Sequence, residues 1–384
     1  MTGYNLRTMI ILFPILASFL FLWYSYGYVD IAFARVSPLL YTLGLPVSRF
    51  LYDDKLTGTV LFIVFFVLAY MFYGFILRSS KVAAAKKNIF FLIVADAVIL
   101  LISFPLFSYD IFNYVLTGKV LYWYRENPYI TMPIEFVGEP MLSFTRAANK
   151  VALYGPVWLG ISSVPYFLSM GSTWAALFWF KFIGFVAYMT ILIVIWKKTK
   201  NLSRVAFFAF NPLVLSEILV NGHNDAVMMA LALLGIYFIE ASNILRKTLG
   251  YAILGASVLI KGATVVLLPA VFFTRWYPKF RYILYAACML MVFLLTPLRE
   301  EMYPWYAVWF MVFLPFIDGK IGDELRWMGA FFSAGLLLRH LPYVMTREYG
   351  GTGPMLRMIF TWTPLVFGLI YRFLSLKFYG KRTK

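Results

Sequence analysis

Apolar runs long enough to cross a bilayer recur along this chain, and they decide its class before any motif is considered. Runs near 8–27, 57–78, 89–107, 173–196, 204–220, 225–241, 281–298, 302–317, 326–345 and 355–375 each read as a spanning helix. A helix needs about 20 apolar residues to cross the hydrocarbon. Of the 384 residues, 62% are hydrophobic and 13% are charged. A soluble domain carries about a quarter charged residues, and no water-soluble core of this length could bury so much apolar surface. The expectation is an all-α, polytopic membrane helical bundle, one domain over 1–384 with about 10 full spans.

Two further apolar stretches, 154–169 and 248–273, do not fit as simple spans. The first is short and carries Pro156 and Pro165; the second is interrupted by Lys261-Gly262. Lys and Arg gather at cytoplasmic ends of spans. Here they cluster from Arg78 to Lys87, in "KKTK" with Arg204, at Arg246 and Lys247, in "RWYPKFR" at 275–281, and in the tail "KFYGKRTK". All five clusters face the cytoplasm together only if 154–169 and 248–273 each return to the side they left. Both are therefore expected to be re-entrant hairpins or pairs of half-helices, which membranes tolerate where protein covers them or they line a wet cavity. With both termini cytoplasmic, the outer face receives 28–56, 108–153, 221–224, 299–301 and 346–354. The first apolar run is too long for a cleavable signal core and lacks a small-residue cleavage site, so it is expected to stay as a span.

The net charge of +17 sits at the ends of apolar runs, the pattern of topology-setting charge rather than a nucleic-acid groove. No nucleic-acid partner is expected. Cys288 is the single cysteine, and His223 and His340 are the only histidines. Those counts rule out a disulfide within the chain and the Cys/His zinc sites.

The unexpected polar residues fall toward one side. "FPLFSYDIFNYVLTGKVLYWYRENPY", 104–129, opens the long outer segment 108–153 and places Asp110 among Ser108, Tyr109, Asn113 and Tyr114. A solvated boundary acid is the plain reading; a base presented to a substrate is the functional one. "NPLVLSEILVNGHND" puts Asn221, His223, Asn224 and Asp225 at a tight turn that Gly222 permits. Asn224 or Asp225 can act simply as a helix cap. Equally, the cluster offers donors and acceptors to a polyhydroxylated ligand. In "GASVLIKGATVVLLP", Lys261 lies too deep to snorkel easily, and a lysine at helix centre costs about 2.5–3.5 kcal/mol on insertion scales. Its partner is expected to be an anion such as a lipid phosphate, or else a helix carboxylate such as Asp96 or Glu217. Asp96 and Lys181 read as structural charges that do not pair with each other. "NPY" and "LYGPVWLG" add Asn127, Tyr129 and Tyr154. Tyr303, Trp305, Tyr306 and Trp309 form an aromatic group that serves as interfacial belt or as a platform for sugar rings. Arg299, Glu300 and Glu301 read as a solvated loop.

Taken in order, "SYDIFNYVLTGKVLYWYRENPY", "YGPVW", "NPLVLSEILVNGHND", "IKGATVVLLP" and "YPWYAVWFMVFLP" resemble the polyprenyl-phosphate-sugar-dependent mannosyltransferases of the GT-C superfamily. The likeness is to bacterial and archaeal lipoglycan-type enzymes, and more distantly to the first mannosyltransferase of GPI-anchor assembly, over about 104–315. The resemblance implies a multi-span transferase in the plasma membrane with its site at the outer face. Its donor would be a polyprenyl-phosphate-linked sugar, its acceptor a glycolipid or glycan, and its surroundings membrane lipids. Asp110 matches the family's catalytic aspartate in the first long outer loop, and Lys261 the lysine of its interrupted helix pair. The family's second acidic residue near that aspartate is replaced here by Asn113 and Tyr114, so no metal-binding acidic pair and no cofactor are expected.

One base and direct displacement imply inversion at the anomeric carbon, unlike glycoside hydrolysis, which pairs two carboxylates. A transporter or lipid flippase is the main alternative. It would place its site near the midplane and show inverted repeats, and none is found in the sequence. A non-catalytic scaffold leaves the buried lysine without a purpose.

Overall fold

Proline and glycine decide where the apolar runs stay straight. The computed structural model describes residues 3–29, 33–79, 86–298, 301–348 and 350–379. Lys81 of the basic cluster after Arg78, the Arg299–Glu300 pair and the tail from Gly380 lie outside the described residues. No strand occurs among the described residues, and the architecture is an all-α bundle. Helices Lys55–Ser79, Thr173–Thr199, Pro278–Leu298 and Gly353–Ser375 are long and apolar enough to span. A fifth span forms if Leu202–Ala209 and Pro212–Val220, bent by 51°, are taken together. The bend falls where Pro212 supplies no N–H, and the Asn211 side chain caps the next turn through Leu213 and Val214 N–H.

Several runs expected to be full spans are not single helices of that length. The run 225–241 is the helix Asp225–Ile239, of 15 residues, or roughly 22 Å at 1.5 Å per residue. Pro304 and Pro315 break 302–317 into short helical turns. The segment 154–169 is one 13-residue helix, Pro156–Leu168, and not a hairpin in itself. The run 248–273 folds back as expected. Helix Ile244–Lys261 ends at Gly262, whose φ of 73° ordinary residues resist, and Leu267–Phe273 returns. Arg275 then reaches Tyr251 Oη at 2.7 Å, so the returning helix of the hairpin ends beside the outgoing one.

The basic ends come together. Glu240 receives Lys198, as well as Arg281 at 3.0 Å, which gathers three of the segments joined by charged turns at one end of the bundle. Thr173–Thr199 is the central span, half of its apolar window being buried against 11% for Gly353–Ser375. It packs on Asp225–Ile239, which in turn lies along Ile244–Lys261. That last pair is close because Gly235 and Gly250 face each other; a Cβ on Gly235 would sit 2.8 Å from the Gly250 carbonyl. Lys181 is fully buried and donates to the carbonyls of Leu100 (2.9 Å) and Ser103, and to Ser103 Oγ (2.8 Å). It thus closes the C-terminal end of helix Lys86–Leu101, where a cation is favoured. Asp96 lies elsewhere, in a mainly apolar cleft beside Phe62 and Tyr24.

Candidate active site

At the far end from Glu240, the segment 108–153 is folded rather than a free loop. Asp110 begins helix Asp110–Tyr122, whose Ile111, Phe112, Tyr114 and Leu116 are buried in the bundle. Short turns Pro133–Glu135 and Pro140–Phe144 follow, fastened by Glu139 to Lys119 (2.6 Å) and to Tyr124 Oη (2.7 Å). The segment returns to the lysine hairpin, where Gly155 N–H donates to the Ile260 carbonyl at 2.8 Å.

The turn after Val220 is wholly inside the protein. Asn221, His223, Asn224 and Asp225 are at most 1% exposed. Asn221 Oδ1 accepts from Leu106 and Phe107 N–H (2.9 and 3.3 Å), while its Nδ2 donates to Glu217 Oε2 at 2.9 Å. This residue braces the chain leading to Asp110. His223 lies between two acids, Nε2 3.2 Å from Glu217 Oε2 and Nδ1 3.6 Å from Asp110 Oδ2. Neither nitrogen makes a well-directed hydrogen bond, so the attraction is that of charge. Burial alone would lower the His223 pKa, but Asp110 and Glu217 raise it to about 9. Burial would likewise raise the Asp110 pKa, and His223, then the charge of Lys261, brings it below the usual carboxylate value. Asp110 keeps 28% of its side chain exposed. His340 approaches the other Glu217 oxygen at 3.7 Å and stacks on Phe107, centroids 4.3 Å apart.

Lys261 has a carboxylate partner, and it is neither Asp96 nor Glu217. Its Nζ lies 3.0 and 3.2 Å from the two oxygens of Asp225, and Trp309 Nε1 donates to Asp225 at 2.7 Å. Asp225 and Asn224 therefore do not act as side-chain caps of the helix they begin. The ammonium also sits 4.7 Å from the centroid of Tyr306. Trp305 stacks on His223 (4.1 Å) and Tyr303 on Trp305 (4.5 Å). Tyr154 meets Tyr114 edge-on at 4.9 Å, and the Tyr129 hydroxyl donates to the Tyr154 carbonyl at 2.9 Å. Asn127 turns the chain there by accepting from Tyr129 N–H at 3.0 Å. The Asn224 amide, Trp305 Nε1 and Ser216 Oγ are buried without a partner. Such groups are rare in native interiors and are usually completed by water or a ligand.

The fold thus gathers Tyr109, Asp110, Asn113, Tyr154, Asn221 to Asp225, Lys261, Trp305 and Tyr306 around one end of the bundle. Asn127 and Tyr129 lie at its edge, touching it through Tyr154. Glu217, His340 and Trp309 belong to the same network but were not among the residues first assigned to the site. Each carried a signal in the sequence: Glu217 is an acid inside an apolar run, His340 is the second of two histidines, and Trp309 belongs to the aromatic group that begins at Tyr303. Among the described residues no group of His, Cys, Asp and Glu is arranged to hold a metal ion.

An all-helical membrane bundle with ionised side chains collected beneath a partly open carboxylate has the form of a membrane-embedded enzyme. The chain belongs to the MptA_B family: the family model described as alpha-(1->6)-mannopyranosyltransferase, N-terminal domain, matches residues 16–276. No curated protein and no solved structure matches the chain. Family membership makes it a membrane glycosyltransferase of the mannosyltransferase class, in agreement with the resemblance carried by its motifs, and disfavours the transporter and scaffold readings.

Proposed function

We propose that the protein transfers mannose from a polyprenyl-phosphate donor to a lipid-linked or glycan acceptor at the outer face of the plasma membrane, with inversion. The observation that carries this reading is the contrast among the site's carboxylates. Glu217 and Asp225 have side chains 0% and 1% exposed and are already matched with cations, whereas Asp110 is 28% exposed. Asp110 is the one an acceptor hydroxyl can reach. It takes the hydroxyl proton as the acceptor oxygen bonds to the anomeric carbon, and the bond from that carbon to the donor phosphate breaks with its electron pair leaving on oxygen. Lys261 donates a hydrogen bond to the departing phosphate. The unpartnered amide of Asn224 suits a sugar hydroxyl, Trp305 and Tyr306 back the sugar site from within their own ring stack, and Tyr109, Asn113 and Tyr154 border the acceptor side. Asn127 and Tyr129 shape the rim, while Asn221 and His223 hold Asp110 in place.

The test is incubation of purified protein with polyprenyl-phosphate mannose and membrane lipid extracts, followed by mass spectrometry. The expected result is a lipid or glycan heavier by one hexose, with release of polyprenyl phosphate. Transfer from a sugar nucleotide alone would overturn the donor assignment.

A further inference from the structure

The charges around Asp110 do not favour an anion. Asp110, Glu217 and Asp225 bring three carboxylates against two close cations, His223 between Asp110 and Glu217 and Lys261 held 3.0 Å from Asp225. A phosphate arriving here finds a hydrogen-bond donor in Lys261 but no unspent positive charge from it.

An unspent cation lies on the segment that follows Thr145. Arg146 is exposed, and its guanidinium sits 5.0 Å from the ring centroid of Tyr109, the residue before Asp110. Stacking of this kind orients an arginine while leaving its N–H edge available for bidentate contact with phosphate. Among the described residues no carboxylate lies within ion-pair distance of Arg146. The neighbouring backbone is tied to the base through one side chain. Ala147 N–H donates to Asn113 Oδ1 at 3.3 Å, and Asn113 Nδ2 lies 3.5 Å from Asp110 Oδ1. Lys150, on the same segment, lines a narrow recess with Asn113, Thr117 and Tyr154. Two cations on one segment thus lie beside the immediate neighbours of the carboxylate, Arg146 over Tyr109 and Lys150 in the recess that Asn113 lines.

We infer that Arg146, backed by Lys150, is the phosphate-binding cation of this site and takes the phosphate group of a lipid substrate against the Tyr109–Asp110 edge. The inference rests on the glycosyl-transfer reading above and adds the residue that gives the phosphate net positive charge. That phosphate belongs either to the donor or to an anionic acceptor lipid.

The test uses the full chain in nanodiscs of zwitterionic lipid, with Arg146→Gln, Arg146→Lys and the unaltered protein. Binding of polyprenyl phosphate and of the uncharged polyprenol is measured, together with KM for a phosphate-bearing and a neutral acceptor. Losing a charge-assisted contact weakens binding by about 10- to 100-fold. For a donor phosphate, Arg146→Gln loses this factor for polyprenyl phosphate, keeps polyprenol binding, and is partly restored by Arg146→Lys. For an acceptor phosphate, the same factor appears in KM for the charged acceptor and not for the neutral one. Unchanged behaviour in both arms of a variant that melts with the unaltered protein overturns the inference. Unaltered protein that ignores both polyprenyl phosphate and its mannosyl form overturns the donor reading instead, and Arg146 is then decided by direct binding of the phosphate-bearing and the neutral acceptor, where equal affinities in Arg146→Gln and the unaltered protein overturn the inference.

Discussion

Replacing Lys261 by Met is a stability experiment as much as a catalytic one. Asp225 is 1% exposed and accepts from Lys261 at 3.0 and 3.2 Å and from Trp309 at 2.7 Å. Lys261→Met leaves that carboxylate buried with the indole alone, and removing one partner of a buried pair costs about 3–5 kcal/mol. The reverse variant, Asp225→Asn, leaves an ammonium whose side chain is 16% exposed and can turn toward water. Its cost is expected at about 1–3 kcal/mol. The double variant buries neither charge, so it should be more stable than Lys261→Met alone, with a coupling of about 2–3 kcal/mol. Reversible unfolding in mixed detergent–SDS micelles, followed by tryptophan fluorescence, measures all three. Additive losses in the double variant would show that the two groups do not depend on each other, and the pairing argument would fail.

Asp110→Asn should lower turnover by about 10²- to 10⁴-fold, the usual contribution of general base catalysis. Some loss of melting temperature is expected as well, because the buried His223 then keeps only Glu217 as an acidic neighbour; a folded variant with activity within a few-fold of the parent would remove Asp110 as base. His223 has its folded pKa raised from the usual 6.5 to about 9. Its charged form therefore adds stability in full below about pH 6.5, and that stability is lost as pH rises through about 9. Melting curves from pH 6 to 10 should show this decline in the parent and a flatter profile in His223→Gln. In a Cys288→Ala background, a cysteine at Val137, which is 97% exposed, should react with an impermeant thiol reagent from outside, and one at Lys198 should not. Outside labelling at 198 would overturn the orientation proposed for the site.

The groups that carry the site were visible in the sequence because ionisable residues are costly inside apolar runs and so stand out. Lys261 stands out on that ground, and Asp110 and the Asn221–Asp225 turn because they are polar clusters directly beside apolar runs. Their pairing was not visible. Whether Lys261 meets Asp96, Glu217 or Asp225 depends on the turn at Gly262 and on the Gly155–Ile260 contact that seats it, and both are tertiary. Hydropathy also failed to separate lipid-facing from protein-buried helices. Asp225–Ile239 and the turns around Trp309 are as apolar as a span because protein covers them, not lipid. The break at Lys261-Gly262 was legible, since a charge followed by glycine stops an apolar helix on local grounds alone.

The aromatic cover of the site has a consequence for how the chain is made. Glu217 and His223 leave the ribosome almost together, but Lys261 follows Asp225 by 36 residues and Trp309 by 84. Trp305, which covers His223, and His340, which reaches Glu217, come late as well. Trp305, Trp309 and His340 all follow the helix hairpin that carries Lys261, so the acid and the imidazole are made well before the side chains that cover them. Until those residues are in place the buried acid and imidazole lack the groups that cover them, so the C-terminal part of the chain completes the site.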